Sequence, residues 1–303
     1  MNKIKDSIID RMLNEGITGT QIDFFIVISR YQDDHNCSRM VSYRDICEEA
    51  HIANPTFYTC MRELEEKGYI KYKQNKEHGD WDIQILNNDF STQESFKDGY
   101  LDTNHEIFFD ENFFKMTAIE KLLTIKVMRT CQASKDLKGI YRISLKEFYG
   151  QYPERFKAYA KNEKLTKRVL QDCLKTLRKF FYIWIKGGMY YFNPRKDKVY
   201  QKESLNRRTE ERNFREFIGK SICRRLKLRY EETDQEFKDT TDLIKQYKKI
   251  CKQKNLNIVD LLFSGIKQSI DKANEDRKKT DPWKRELQPK LINKLIHSEI
   301  YAY

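Results

Sequence analysis

Two segments of this 303-residue chain carry the same alternation of apolar and polar positions. In the first, Phe57, Met61 and Leu64 recur at helical spacing and predict a helix with one buried face. Asn54 is a good N-cap for it, and Pro55 suits the first helical position, where no backbone donor is needed. Gly68 supplies the left-handed residue that ends the helix. Alternating runs at 69–73 and 81–86, joined by the polar stretch 76–80, then read as a hairpin. In the second segment Leu165, Val169, Leu170, Cys173, Leu174 and Leu177 stripe a helix over 163–179. A strand at 181–186, the two-residue turn Gly187-Gly188 and a return strand at 189–192 follow. One constant offset of 113 residues aligns Met61, Leu64, Tyr69 and Ile70 with Leu174, Leu177, Tyr182 and Ile183, and sets Leu170 under Phe57. The match falls mostly on core positions, so it speaks for a shared fold more than a shared function.

The flanking elements complete each unit. Ile4, Ile8, Ile9, Met12 and Leu13 share one face of a short helix over 1–14. Thr18 or Thr20 caps a helix from Gln21 to Tyr31, Ser42 caps another from Tyr43 to Ala50, and residues 51–53 turn into the third. Helix, helix, turn, helix and hairpin within about ninety residues make a winged helix-turn-helix. Residues 87–112 are mostly polar and read as a linker, with Ile107-Phe108-Phe109 as a docking strand inside it. Thr117 then caps a helix to about Cys131, followed by a strand at Tyr141–Ile143 and a short helix at Leu145–Tyr149. Beyond Leu205 four apolar stripes describe a helical module, with Asp281-Pro282 opening its last helix or the turn before it. The expected fold is mainly α with small β-hairpin wings. It has a first winged helix at 1–86, the linker at 87–112, a second winged helix at 113–200 and a helical C-terminal module at 201–303.

Charge refines this picture. The net charge of +12 makes a polyanion the first partner to consider. Residues 1–100 carry −6, residues 101–200 carry +10 and the remainder +8, so phosphate contacts belong to the last two thirds. The seven cysteines include no Cys-x-x-Cys pair, which points to buried thiols in a reduced, cytoplasmic protein with no zinc and no disulfide framework. No stretch approaches the length of a membrane span, and the N-terminus lacks the apolar run of a signal peptide. The five histidines are never paired at metal-ligand spacing, and the carboxylates offer no two-metal cluster. Gly219-Lys220-Ser221 has the tail of a phosphate-binding loop, but Phe214 stands where its first glycine belongs and the flanks read as helix. Neither an enzyme nor a cofactor-dependent protein is expected.

Nucleic-acid binding fits better. On the first recognition helix Thr56, Tyr58, Thr59 and Arg62 lie off the core face, with Asn54 at its tip. Asn54 and Thr56 can meet base edges while Tyr58 and Arg62 reach phosphates. Glu63, Glu65 and Glu66 on the same helix oppose a backbone contact, so this unit also reads as a protein-contact module. The second helix carries Lys164, Lys167, Arg168, Gln171, Lys175 and Arg178, and Arg and Gln suit bidentate reading of guanine and adenine. Lys186, Arg195 and Lys196 on or after the wing add candidate phosphate contacts, and 207–208 with 224–229 extend the basic surface.

Two unlike winged helices over about residues 18–195, one acidic and one basic, resemble the tandem winged-helix replication initiators of plasmids. That resemblance implies two units that bind DNA together, with the first also serving dimerisation. Winged-helix regulators share the same local features. The expectation is a sequence-specific double-stranded DNA-binding protein, a transcriptional regulator first and a plasmid- or phage-type replication initiator second, with a protein-interaction adaptor as the rival class. Self-association through the N-terminal domain or the C-terminal helices, and a replication or transcription protein partner, are the further partners it suggests.

Overall fold

A computed structural model describes residues 2–33, 35–76, 79–134, 139–159, 167–199, 204–231, 233–275 and 286–302, with backbone alone at 157 and 204–213. The chain forms two compact units, Met1–Gln74 with Trp81–Gln201, and Asn75–Asp80 with Lys202–Tyr303. Both are mostly helical, and the first holds small antiparallel sheets.

The first unit opens with β1 (Lys3–Lys5) and α1 (Asp6–Glu15), which buries Ile8, Ile9, Met12 and Leu13. Then come α2 (Gly19–Tyr31), β2 (Cys37–Val41), α3 (Tyr43–Glu49), α4 (Asn54–Glu66), β3 (Ile70–Gln74) and β4 (Trp81–Ile85). Thr18 caps α2 through a full capping box with Gln21. The three strands pair in the order β2-β4-β3, with Ile70 opposite Ile85 and Gln74 opposite Trp81. Phe57, Met61 and Leu64 of α4 are fully buried against α2, and Gly68 ends the turn at φ +67°. The helix cap itself is Ala53, without a side-chain hydrogen bond; Asn54 is already the first helical residue, beside Pro55. Ser42 stands at the cap of α3 but makes no side-chain hydrogen bond there.

Residues 87–112 are folded onto this unit. They hold β5 (Tyr100–Asp102), which pairs antiparallel with β1, and bury Leu101, Ile107 and Phe108. Residues 106–109 form a 3-10 turn in place of the expected strand, and the buried Arg30 guanidinium donates to the Phe108 carbonyl (2.9 Å) and stacks on Phe109. The short helix α5 (Glu111–Phe114) leads into α6 (Ala118–Ala133), which Thr117 caps with Glu120 in a second capping box.

From α6 the earlier succession recurs: β6 (Tyr141–Ser144), α7 (Leu145–Arg155), α8 (Lys167–Leu177), β7 (Phe181–Lys186) and β8 (Met189–Pro194). Its strands pair in the equivalent order, β6-β8-β7. Gly187 and Gly188 both sit at positive φ, the geometry that a tight two-residue hairpin requires.

The two halves share one body. α6 packs on α1 and α2, and three acid–base pairs line that seam: Asp6 with Arg129 (2.5 and 2.6 Å), Asp10 with Lys126 (2.6 Å), and Asp23 with Lys121. The last pair is almost wholly buried. Burial pushes the Asp23 carboxyl up to about 7 and the Lys121 ammonium down, each partner opposing the other's shift. The second half reaches back through Tyr159, whose hydroxyl accepts from the Ile17 amide (3.0 Å) and donates to the Met12 carbonyl.

The second unit is built from α9 (Ser204–Arg225), α10 (Gln235–Gln253), α11 (Ile258–Glu275) and α12 (Pro289–Ala302). Ile218, Ile222, Ile244, Leu262, Ile266, Ile292 and Ile296 fill its core. Gly219 lies inside α9, packed against Phe237 and Thr241 of α10, so residues 219–221 are continuous helix and no phosphate-binding loop. Asp281-Pro282 lies outside the described residues.

Candidate nucleic-acid interface

The first candidate surface is the solvent face of α4. Asn54 and Tyr58 are exposed and Thr56 is half-buried at its N-terminal end, while Thr59 returns its hydroxyl to the Pro55 carbonyl (3.2 Å). Tyr58 is held by rings: Phe57, Tyr43 and Trp81 surround it at centroid distances of 5.3, 6.3 and 6.1 Å. Such packing fixes the phenol at low entropic cost to any ligand it meets. Arg62 is exposed and lies 4.0 Å from Glu66. Glu63 accepts from Gln21, and Glu65 stands beside Tyr72. The three glutamates expected to oppose a phosphate backbone are thus unequal, since Glu63 is turned inward and Glu65 and Glu66 remain exposed.

Three cations around this helix were not singled out from the sequence. Arg44 on α3 is exposed and donates to the Tyr43 hydroxyl (3.2 Å), which sets it near Tyr58, and Lys71 and Lys73 are exposed on β3. Arg44 is a single basic residue on a short helix and Lys71 and Lys73 flank Tyr72 on a strand, so only the fold brings them to the recognition helix.

The second candidate surface is the solvent face of α8. Leu170, Cys173, Leu174 and Leu177 are buried, which turns Lys167, Arg168, Gln171, Lys175 and Arg178 outward, all exposed. Lys175 pairs with Asp172 (2.7 Å) and holds that carboxyl below its usual range. The Lys167 ammonium lies 5.0 Å from the Tyr149 ring centre. Lys186 is exposed at the tip of the hairpin. Arg195 is differently employed: its Nε and Nη2 donate to the Arg178 carbonyl (3.2 and 3.0 Å), capping the C-terminal end of α8 where a cation is favoured. Glu163 and Lys164 lie outside the described residues, as do the side chains of 207 and 208.

Burial pushes the Cys60, Cys131, Cys173 and Cys223 thiols up to about 12, so they are poor nucleophiles at neutral pH. Among the described residues no group of three His, Cys, Asp or Glu side chains is placed to hold a metal ion, and no helix is long and apolar enough to cross a membrane.

A family model described as winged helix-turn-helix DNA-binding matches residues 37–71. That span runs from β2 through α3 and α4 into the first wing strand, so it covers the recognition helix with Asn54, Thr56, Tyr58, Thr59 and Arg62. A helix-turn-helix of this kind supports DNA binding by the chain. No match to the chain is found among curated proteins or among solved structures.

Proposed function

We propose that the protein is a sequence-specific double-stranded DNA-binding protein without enzymatic activity, a transcriptional regulator that reads the duplex with two tandem winged helices. The observation that carries this reading is the position of α8. It occupies in the second half the place that α4 holds in the segment matching the DNA-binding family, and its solvent face carries Lys167, Arg168, Gln171, Lys175 and Arg178. A recognition helix needs long donors that reach base edges and cations that reach phosphates, and this face holds both.

A second reading, initiation of plasmid- or phage-type replication, is favoured by the seam between the halves. Asp6–Arg129, Asp10–Lys126 and Asp23–Lys121 hold two unlike helices in one body, so a single chain presents an asymmetric reading surface. Such a surface suits direct repeats, whereas palindromes mirror the two-fold symmetry of a dimer. Partner contact and self-association fall to the acidic first helix or the C-terminal helices on either reading.

The test is selection of bound fragments from the source genome at moderate salt. Enriched promoter sites support the regulator, and direct repeats clustered at one locus support the initiator. No enrichment over random fragments refutes both and leaves a protein-interaction adaptor.

A further inference from the structure

The two three-stranded sheets of the first unit are built alike and finished differently. On the first, the outward positions of the wing are ordinary: Lys71 pairs across the strands with Gln84, and Lys73 with Asp82. On the second, the positions equivalent to Lys71 and Gln84 are Trp184 and Tyr191, again directly paired. Their rings stack with centroids 5.2 Å apart and planes 8° from parallel. Two residues away on the same face, Tyr182 is 55% exposed, while Trp184 is 39% exposed. β7 is an edge strand, so the side of Trp184 away from Tyr191 faces the open edge of the sheet.

We propose that this face is a stacking platform for the unpaired bases of single-stranded DNA. The inference rests on the reading of the protein as a DNA-binding protein and adds a second kind of DNA to it. Charge selects the occupant. Arg142 continues the Tyr191–Trp184 row across the sheet, Lys186 ends β7, and the Arg195 guanidinium lies 5.0 Å from the Tyr182 ring centre. The outward positions of β6, β7 and β8 are Arg142, Ser144, Tyr182, Trp184, Lys186, Met189, Tyr191 and Asn193, without a carboxylate among them. Aromatic rings within a rim of one positive sign match a strand of bases on a phosphate backbone. The same rim disfavours a second copy of the chain, because a two-fold contact sets like patches face to face. In a duplex the bases are already stacked on one another, so the platform gains its ligand only where strands are parted.

The experiment measures binding of the full chain to a labelled oligothymidylate of about 15 nucleotides, within the footprint of known platforms, and to a random duplex of equal length, at low salt. Trp184→Ala and Tyr182→Ala are each expected to weaken single-strand binding about tenfold, a factor within the range of one stacked base. Duplex affinity should stay within about twofold of wild type, since neither ring stands on α4 or α8. Trp184→Phe should keep most of the single-strand affinity, and oligothymidylate should quench the wild-type tryptophan fluorescence more than that of this variant. Duplex binding without single-strand binding overturns the platform and leaves the DNA-binding reading standing, whereas binding to neither overturns both. Unchanged single-strand affinity in both alanine variants also refutes the platform, as does a sedimentation shift showing that Trp184→Ala dissolves an oligomer.

Discussion

Lys121→Met tests whether the buried pair at the seam holds the two halves together. The substitution keeps most of the aliphatic stem and removes the charge. In the wild type the Lys121 side chain is 2% exposed and that of Asp23 7%, and the Oδ1 atom of Asp23 already has no hydrogen-bond partner. The ammonium is therefore the main compensation for the carboxylate, and losing it leaves an uncompensated buried charge, at a cost of about 3–5 kcal/mol. The sign with pH follows from the carboxyl. Its folded pKa, about 7 even beside Lys121, lies well above the value near 4 of an unfolded aspartate, and removing the cation raises it further. A group with a raised folded pKa contributes stability below its unfolded pKa and loses that contribution as pH rises through the folded one. The loss in Lys121→Met should grow as pH rises through about 7 and shrink as pH falls toward 4, where the unfolded chain also holds the proton. The assay is urea denaturation across that range in a Trp283→Phe background, where Trp81 and Trp184 both report the first unit. Adding Asp23→Asn to Lys121→Met should restore much of the loss. A cost below about 1 kcal/mol, or one that is flat with pH, refutes the reasoning.

Two further changes bear on the interface and on the second unit. Arg168→Ala with Lys175→Ala removes two exposed cations from α8 without touching its buried stripe; duplex affinity should fall, and the slope of log affinity against log salt should flatten by up to about 2, from roughly 0.9 per phosphate contact. An unchanged slope in a salt titration takes α8 out of the interface. Gly219→Ala would bring its Cβ to 2.5 Å from Thr241 Cγ2 and 2.9 Å from Phe237 Cζ, so overpacking of about 1–3 kcal/mol outweighs the helix-propensity gain of about 1 kcal/mol. Its melting temperature, followed by circular dichroism, should drop, and a rise would show that the α9–α10 contact yields freely.

What could be read from the sequence is what local chemistry dictates. Pro55, Gly68 and the Gly187-Gly188 pair announce a helix start, a helix end and a tight turn because each residue restricts or frees its own backbone. Phe57, Met61 and Leu64, and Leu170, Leu174 and Leu177 under them, are buried as their spacing implies. Pairings between distant segments leave no such mark. β5 makes a strand with β1, nearly a hundred residues earlier, and that contact folds a stretch whose polar composition reads as a linker. Tyr182 is the instructive departure. The offset places it under Tyr69, which is 2% exposed, yet Tyr182 faces solvent. In the first half α1 lays Arg11 over the Tyr69 ring at 4.2 Å and donates from the same guanidinium to the Gly68 carbonyl. Repeated core spacing is blind to a covering helix that belongs to only one copy.

The same offset exposes a division of labour between the two helices. Asn54, Tyr58 and Arg62 of α4 correspond to Lys167, Gln171 and Lys175 of α8, so both helices offer polar, reaching side chains along one face. The ends differ. Glu65 and Glu66 correspond to Arg178 and Lys179, which reverses four units of charge over two positions. Carboxylates at a helix C-terminus add to the negative end of the macrodipole, and both repel phosphate; Arg178 and Lys179 oppose the dipole and attract it. With Arg195 covering the Arg178 carbonyl, the end of α8 carries a net positive field where that of α4 carries a negative one. On the proposed reading, then, α8 supplies most of the sequence-independent affinity. α4 meets DNA only through its N-terminal turn, where Asn54, Thr56 and the ring-braced Tyr58 stand clear of the glutamates. A body that fixes the two helices relative to each other lets the weak reader profit from the strong one, because binding of α8 delivers α4 to its site at high effective concentration.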